Sequence, residues 1–285
     1  MGVALGLAAA LCWGLADYTA AMASRITGSF RVVLGSHLMS TAILAVVVLA
    51  TGALDDFSAG DLWKFAWLGA LGALSYQTFY KALEIGPLSI VSPIVSAYAA
   101  VSLILAVLVL GESLTGGQVG AVVVVMLGVL LASADLRQIH RIERRQAFGL
   151  VLALITVVAI GSFVFGTAYY AIEFGWLVSI FFARLFTSIF LVGLSARDGS
   201  WRFPDRSPRL FLYIAFVSFV DTLGFVAFNI GAERADTSIV SAASAPYAVI
   251  PIIAGVFFLR ERPAPIQWLG IAGVVLGVVA LGLLL

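Results

Sequence analysis

Ten apolar runs, each close to twenty residues long, decide what this chain can fold into. They lie at about 3–22, 32–51, 63–83, 89–110 and 118–134, and again at about 148–170, 177–195, 210–231, 237–259 and 266–285. A helix needs about 20 such residues to cross the hydrocarbon layer of a bilayer. The runs are apolar on every side and lack the period-2 alternation of barrel strands, so helices rather than a transmembrane barrel are expected. Of the 285 residues, 62% are hydrophobic and 11% charged, against about 25% charged in a soluble domain. That leaves too little polar surface to coat a water-soluble globule. The expected fold is an all-α membrane protein of ten transmembrane helices. Its longest connections, 135–147 and 196–209, are too short to fold by themselves, so any activity resides within the bundle or at its mouths.

The same residues remove several classes of function. Net charge is +1, which provides no basic field for nucleic acid. A single cysteine, Cys12, rules out a disulfide framework or thiolate cluster, and two histidines, His37 and His140, rule out a His-rich metal site. No cofactor is expected. No Walker A pattern occurs, so ATP hydrolysis by a loop of that kind is not expected. The first run has no basic leader or A-x-A cleavage site and reads as a retained span. Gly6 stands where a myristoylation signal needs Ser or Thr. On the ten-span reading, loops on the side of the N-terminus carry two basic residues, Lys64 and Arg234, and the opposite side carries thirteen. Basic loops stay in the cytoplasm. Both termini are therefore expected outside the cytoplasm, in a multi-pass protein of the plasma (inner) membrane.

Shifting the sequence by 149 residues lays one half on the other. Glu84 meets Glu233, Ser89-Ile90-Val91-Ser92 meets Ser238-Ile239-Val240-Ser241, and Tyr98-Ala99 meets Tyr247-Ala248. Glu112 meets Glu261, Gln118 meets Gln267, and Leu127-Gly128-Val129 meets Leu276-Gly277-Val278. From 84 to 129, 16 of 46 positions are identical without a gap. A shared bias toward Val, Leu and Ala does not align glutamates, serines, a tyrosine and a glutamine. Residues 1–140 and 141–285 are read as two copies of a five-helix unit. Five is odd, so the second copy enters the membrane upside down. Inverted repeats of this kind enclose a mid-membrane site in secondary transporters and open it to alternate faces.

Several local patterns add to the repeat. Span one carries Trp13-Gly14, and span three ends in Tyr80-Lys81-Ala82-Leu83. Span four has the serine-rich stretch from Ser89 to Ser96 and closes on Gly111-Glu112, matched by Ser238 to Ser244 and Arg260-Glu261 in the second half. A basic residue, Arg184, stands early in the second span of its repeat, and His37 occupies the matching place at an offset of 147. In these features the chain resembles, over nearly its whole length, the EamA-type transporters of the drug/metabolite transporter superfamily. It departs from them where a proline midway along span four is replaced by Ala99 or Ala100, whereas the second half keeps Pro246 and Pro251. Many members are drawn with cytoplasmic termini, and the charge count here argues the reverse. The resemblance implies ten helices around a central cavity for a small metabolite. It does not name the substrate, since the family moves amino acids, sugars, nucleotide conjugates and drugs.

An ionisable group at the centre of a span costs about 2.5–3.5 kcal/mol on translocon scales, so it faces a cavity or a partner. Asp221 lies near the centre of span eight, Arg184 at mid-depth in span seven, Asp17 further along span one, and His37 near the cytoplasmic end of span two. Two readings of Asp221 stay open: a protonation switch or counter-charge for an ammonium group, and an ion pair with Arg184 that fastens two spans. A carboxylate and a guanidinium in one cavity suit a zwitterion such as an amino acid. Asp221, Phe225 and Phe228 form one stripe at i, i+4 and i+7. The repeat maps them onto Gly72, Tyr76 and Phe79, so each half offers an aromatic wall and only one offers a charge. Gln77 and Asn229 fall off the stripe and read as helix fasteners.

Ser92 with Ser96, and Ser241 with Ser244, serve either close packing or substrate contact. Tyr98 and Tyr247, paired by the repeat, are placed to cap or gate a pocket, and Trp13 offers a stacking surface or is simply buried. Glu112 and Glu261 are expected to fix the turns that follow them. Gly270, Gly273 and Gly277 form a small-residue stripe that packs span ten on a neighbour, with span five the first choice, or forms a dimer seam; monomer and homodimer both stay open. The leading expectation is a secondary active transporter, an exporter of a small organic metabolite, working by alternating access with protons as coupling ion and the bilayer as its surroundings. An uncoupled facilitator or exchanger is the alternative, and a channel a further one. An intramembrane enzyme is disfavoured because Asp17 and Asp221 are the only deep carboxylates.

Overall fold

A computed structural model of the chain describes residues 1–55, 57–86, 88–132, 144–198, 208–250 and 264–284. Among them there is no strand. The helices are α1 (Gly2–Thr27), α2 (Ser29–Thr51), α3 (Leu62–Ile85), α4 (Leu88–Ser96), α5 (Tyr98–Leu105), α6 (Gly116–Ala132), α7 (Arg144–Phe174), α8 (Trp176–Asp198), α9 (Pro208–Arg234), α10 (Thr237–Ser244) and α11 (Pro265–Leu283). Six of them, α1, α2, α7, α8, α9 and α11, are long and apolar enough to cross a membrane, and shorter apolar helical stretches cover 94–110 and 116–131. The polarity is inverted relative to a soluble protein. Leu49 is 79% exposed and Leu108 74%, whereas Arg184 is 2% and His37 1% exposed. This is the distribution expected of a chain whose solvent is lipid.

Single glycines join two of the helix pairs. Gly28 (φ 89°) links α1 to α2 and Gly175 (φ 87°) links α7 to α8, a left-handed backbone that side chains with a Cβ rarely adopt. Each following helix begins with free N–H groups, and a glutamate supplies the missing acceptor. Glu84, at the end of α3, accepts the Ser29 N–H at 2.9 Å. Its repeat partner Glu233, at the end of α9, accepts the Trp176 N–H. Glu112 accepts the N–H groups of Thr237 and Ser238, each at 2.8 Å. Glu112 was expected to fix the turn beside it; it instead caps the start of α10 in the other half. Glu261 lies outside the described residues.

The fourth apolar run is not one helix. The i→i−4 ladder gives way at Ala97, whose N–H bonds Ile94 O at 3.2 Å, and resumes as α5 before a π-helical turn over Ala106–Leu110. In the second half α10 ends at Ser244 and passes into a 3₁₀ turn over Ala245–Ala248 that contains Pro246. Ala97 is the 149-residue counterpart of Pro246, so the first break occurs without a proline at that place. The first copy thus keeps a break in span four although Ala99 and Ala100 stand where the resemblance leads one to look for a proline. Tight packing accompanies both breaks: a Cβ on Gly161 would come within 2.8 Å of the Tyr98 carbonyl oxygen, and one on Gly14 within 2.8 Å of the Tyr247 carbonyl oxygen.

The pairings of helices exchange between halves in the same way. α1 packs on α9 and α10, as α7 packs on α3 and on α4 with α5; α2 faces α8, and α6 faces α11. Small residues permit the last contact. A Cβ on Gly128 would lie 2.6 Å from Val274 N, and one on Gly277 would lie 2.8 Å from the Val125 side chain. The stripe of span ten therefore packs on span five, as expected.

Candidate functional site

The deepest charges meet between α2, α3, α8 and α9. Arg184 Nη2 forms an ion pair with Asp221 Oδ2. Arg184 Nη1 lies 2.8 Å from His37 Nε2, and His37 Nδ1 lies 3.0 Å from Val33 O. A guanidinium can only donate, so Nε2 must accept and the proton sits on Nδ1, where it is donated to the Val33 carbonyl. His37 is thereby held as one neutral tautomer. The guanidinium carbon also lies 4.7 Å from the centre of the Phe225 ring and 5.2 Å from that of Tyr76, within cation–π range. The Tyr76 hydroxyl donates to Asp221 at 3.4 Å, and its ring meets that of His37 edge-on at 4.3 Å.

His37 is not near a helix end. It is the ninth residue of α2, as Arg184 is the ninth of α8, and the two helices have the same length of 23 residues. The apolar run of span two starts at Val32, whereas α2 also takes in Ser29, Phe30 and Arg31 directly after Gly28. Thr41 and Ser188, one turn further along the same helices, bond through their hydroxyls at 2.9 Å. Asp221 thus makes the pair with Arg184 that one of its two readings expects, and that pair is compatible with the other.

Beside this cluster lies a small cavity with an enclosed volume of about 30 Å³. Trp13 and Asp17 of α1 face it, with Tyr76 and Phe79 of α3, Val95 and Tyr98 of the broken helix, Ile160 and Val164 of α7, Asp221 and Phe225 of α9, and Tyr247. Trp13 packs on Phe225 and Phe228 with ring centres 5.0 and 5.5 Å away, and its N–H end turns to Gly224. Asp17 is 7% exposed and has no hydrogen bond or ion pair among the described residues. Arg184 and His37 stand behind Asp221 and do not line the cavity.

The serines support the wall rather than forming it. The Tyr98 and Ser244 hydroxyls bond at 2.8 Å, those of Ser102 and Ser241 at 2.9 Å, and the Tyr247 hydroxyl donates to Ser92 O at 3.3 Å. Ser92 and Ser96 are buried and are not among the lining residues. Tyr98 and Tyr247 face each other with ring centres 5.8 Å apart. Asn229 does not fasten a neighbour as expected: both its amide atoms are buried without a partner among the described residues. Ile160 and Val164, which complete the wall, were not foreseen. The 147-residue offset that pairs His37 with Arg184 would have found Ile160, the counterpart of Trp13.

An all-helical bundle with lipid-compatible flanks, a buried ion pair and an aromatic cavity defines a polytopic membrane protein with an internal site. The chain belongs to the EamA-like transporter family, whose model matches residues 1–134 and 147–283. It is a membrane transporter of that broad class and not, at that level, an enzyme. No curated protein matches it in sequence. Among solved structures, one described only as the crystal structure of a protein is similar over 99% of this chain and 96% of its own, with a TM-score of 0.79 and 16% identity. At that identity the likeness concerns the fold alone.

Proposed function

We propose that the protein is a proton-coupled secondary transporter of a small organic metabolite, exporting it by alternating access around the cavity between residues 1–140 and 141–285. One observation carries the reading: the ion pair, the lone carboxylate and the aromatic wall gather where the two halves meet. Contacts between repeat partners support an inverted arrangement. His37 touches Arg184, Thr41 touches Ser188, and Tyr98 faces Tyr247, at separations of 147, 147 and 149 residues. A two-fold axis lying in the membrane plane brings equivalent positions together in this way, and such an axis relates two units of five spans each. The loop charges favour extracytoplasmic termini in the inner membrane. The test is counterflow in proteoliposomes with labelled amines and amino acids, with and without a pH gradient. Saturable exchange, and accumulation driven by the gradient, are expected. Chemical conversion of a compound without its transfer, or large unitary currents, would overturn the transporter reading; exchange indifferent to the gradient would overturn the coupling.

A further inference from the structure

We propose that a crevice on the outer side of α3 binds one acidic phospholipid of the cytoplasmic leaflet, with an acyl chain laid between α3, α7 and α8 and the phosphate at Lys81. The site is separate from the central cavity, and its occupancy does not depend on the transporter reading. Only the choice of leaflet uses the loop charges.

The crevice has a volume of about 620 Å³ and is open on one side. Its walls come from the start of α2, the second half of α3, the start of α7 and the end of α8, all at one end of the bundle. It shares no lining residue with the cavity beside Asp221. On α3 the two spaces take different faces: Tyr76 and Phe79 turn inward, whereas Leu74, Gln77 and Lys81 turn to the crevice. Along α3 the lining runs from Lys81 to Ala70, which at 1.5 Å per residue is about 16 Å. One leaflet of the hydrocarbon core is about 15 Å deep, half of the full thickness. The groove thus matches an acyl chain of a single leaflet and is too short to seat a helix that spans the bilayer.

Polarity is graded along that length. Ser29 and Lys81 stand at the mouth, Gln77 lies one turn deeper, and beyond it the wall is made of Leu74, Ala73 and Ala70. Thr78 is occupied, donating to Leu74 O at 2.9 Å and accepting the Thr156 hydroxyl at 2.8 Å. Gln77 was expected to fasten a neighbouring helix, yet it has no hydrogen-bond partner among the described residues. A polar side chain left unserved at membrane depth is costly. A phospholipid has the same gradient, with its ester carbonyls just below the phosphate, where the Gln77 amide can donate to one of them.

Charge selects the headgroup. The Lys81 ammonium spends one of its three donors on Glu84 at 2.7 Å, and its side chain is 44% exposed, so donors remain for a phosphate. Glu84 offsets one charge locally, but the surrounding face does not. On the ten-span reading its loops carry thirteen basic and six acidic residues, against two and seven on the opposite face. Basic crevices between spans on the cytoplasmic side favour acidic lipids over neutral ones.

The experiment is native mass spectrometry of the purified full chain in neutral detergent, titrated with phosphatidylglycerol or with phosphatidylcholine of the same acyl chains. One phosphatidylglycerol per chain is expected to be retained, about fivefold more tightly than phosphatidylcholine, as one basic side chain near the surface provides. Lys81→Gln should remove that preference and leave phosphatidylcholine binding unchanged. Gln77→Leu should weaken both lipids, and Ala70→Trp, which fills the deep end, should displace both. Lysophosphatidylglycerol should bind like the two-chain lipid, since only one chain is seated. Equal affinity for the two headgroups in the parent chain, a preference that survives in Lys81→Gln, or retention unchanged in Ala70→Trp would overturn the proposal. So would lipid-free dimers that Ala70→Trp abolishes, which would give the groove to a second copy of the chain. If Lys81→Gln does not fold, the headgroup comparison on the parent chain and Ala70→Trp decide the matter.

Discussion

Arg184 and Asp221 show how a buried charge is tolerated: each is the other's solvent. Asp221→Asn removes the counter-charge of the guanidinium. Removing one partner of a buried pair costs about 3–5 kcal/mol, whereas replacing both by apolar residues is close to neutral. Asp221→Asn is therefore expected to lower the thermal unfolding midpoint in detergent sharply, and Arg184→Leu with Asp221→Leu to restore most of it. Equal losses in the single and double variants would show that the pair does not stabilise the bundle. Both residues were legible in the sequence because ionisable groups are conspicuous inside apolar runs. Their pairing could be offered only as one of two readings, since helical spacing fixes the face of one helix and says nothing of which neighbour it meets. The same limit applies to Asp17, whose isolation appears only once its surroundings are assembled.

At the scale of elements, eight of the ten apolar runs coincide with single helices to within about five residues, with α1, α7 and α9 somewhat longer than their apolar cores; the run at 89–110 is broken, and the run at 237–259 is described only to residue 250. The break at Ala97 was hidden because Ala97 itself is not a proline (the nearest, Pro93, stands a turn earlier), and because it accompanies contact with Gly161 on a helix distant in sequence. The glutamates at 84, 112 and 233 were visible as matched positions of the repeat or as turn residues, but their role as acceptors depends on which helix start lies within reach. The α6–α11 seam gives a direct test of close packing. Gly277→Leu forces a side chain against Val125 and is expected to cost about 1–3 kcal/mol of stability. Gly282→Leu, with nothing within 4 Å of its added Cβ, should stay within about 0.5 kcal/mol of the parent. Comparable thermal unfolding of the two variants would contradict the seam.

For the whole molecule, the two-copy arrangement predicts that the chain crosses the membrane an odd number of times between equivalent points. Reporters active on one face only, fused ahead of residue 1 and inserted after residue 140, should respond from opposite faces, the first from outside the cytoplasm. A response from the same face would remove the inverted relation, and with it the basis for exchanging conformations between halves. The sequence by itself determined that the chain lives in lipid, that it is helical and that its two halves share one pattern, because each of these follows from composition and spacing along a single chain. Which charges neutralise each other, where span four gives way and which carboxylate is left facing the cavity were decided by the tertiary structure alone. Those outcomes depend on distances between residues 37 to 212 positions apart, and local sequence carries no measure of such distances.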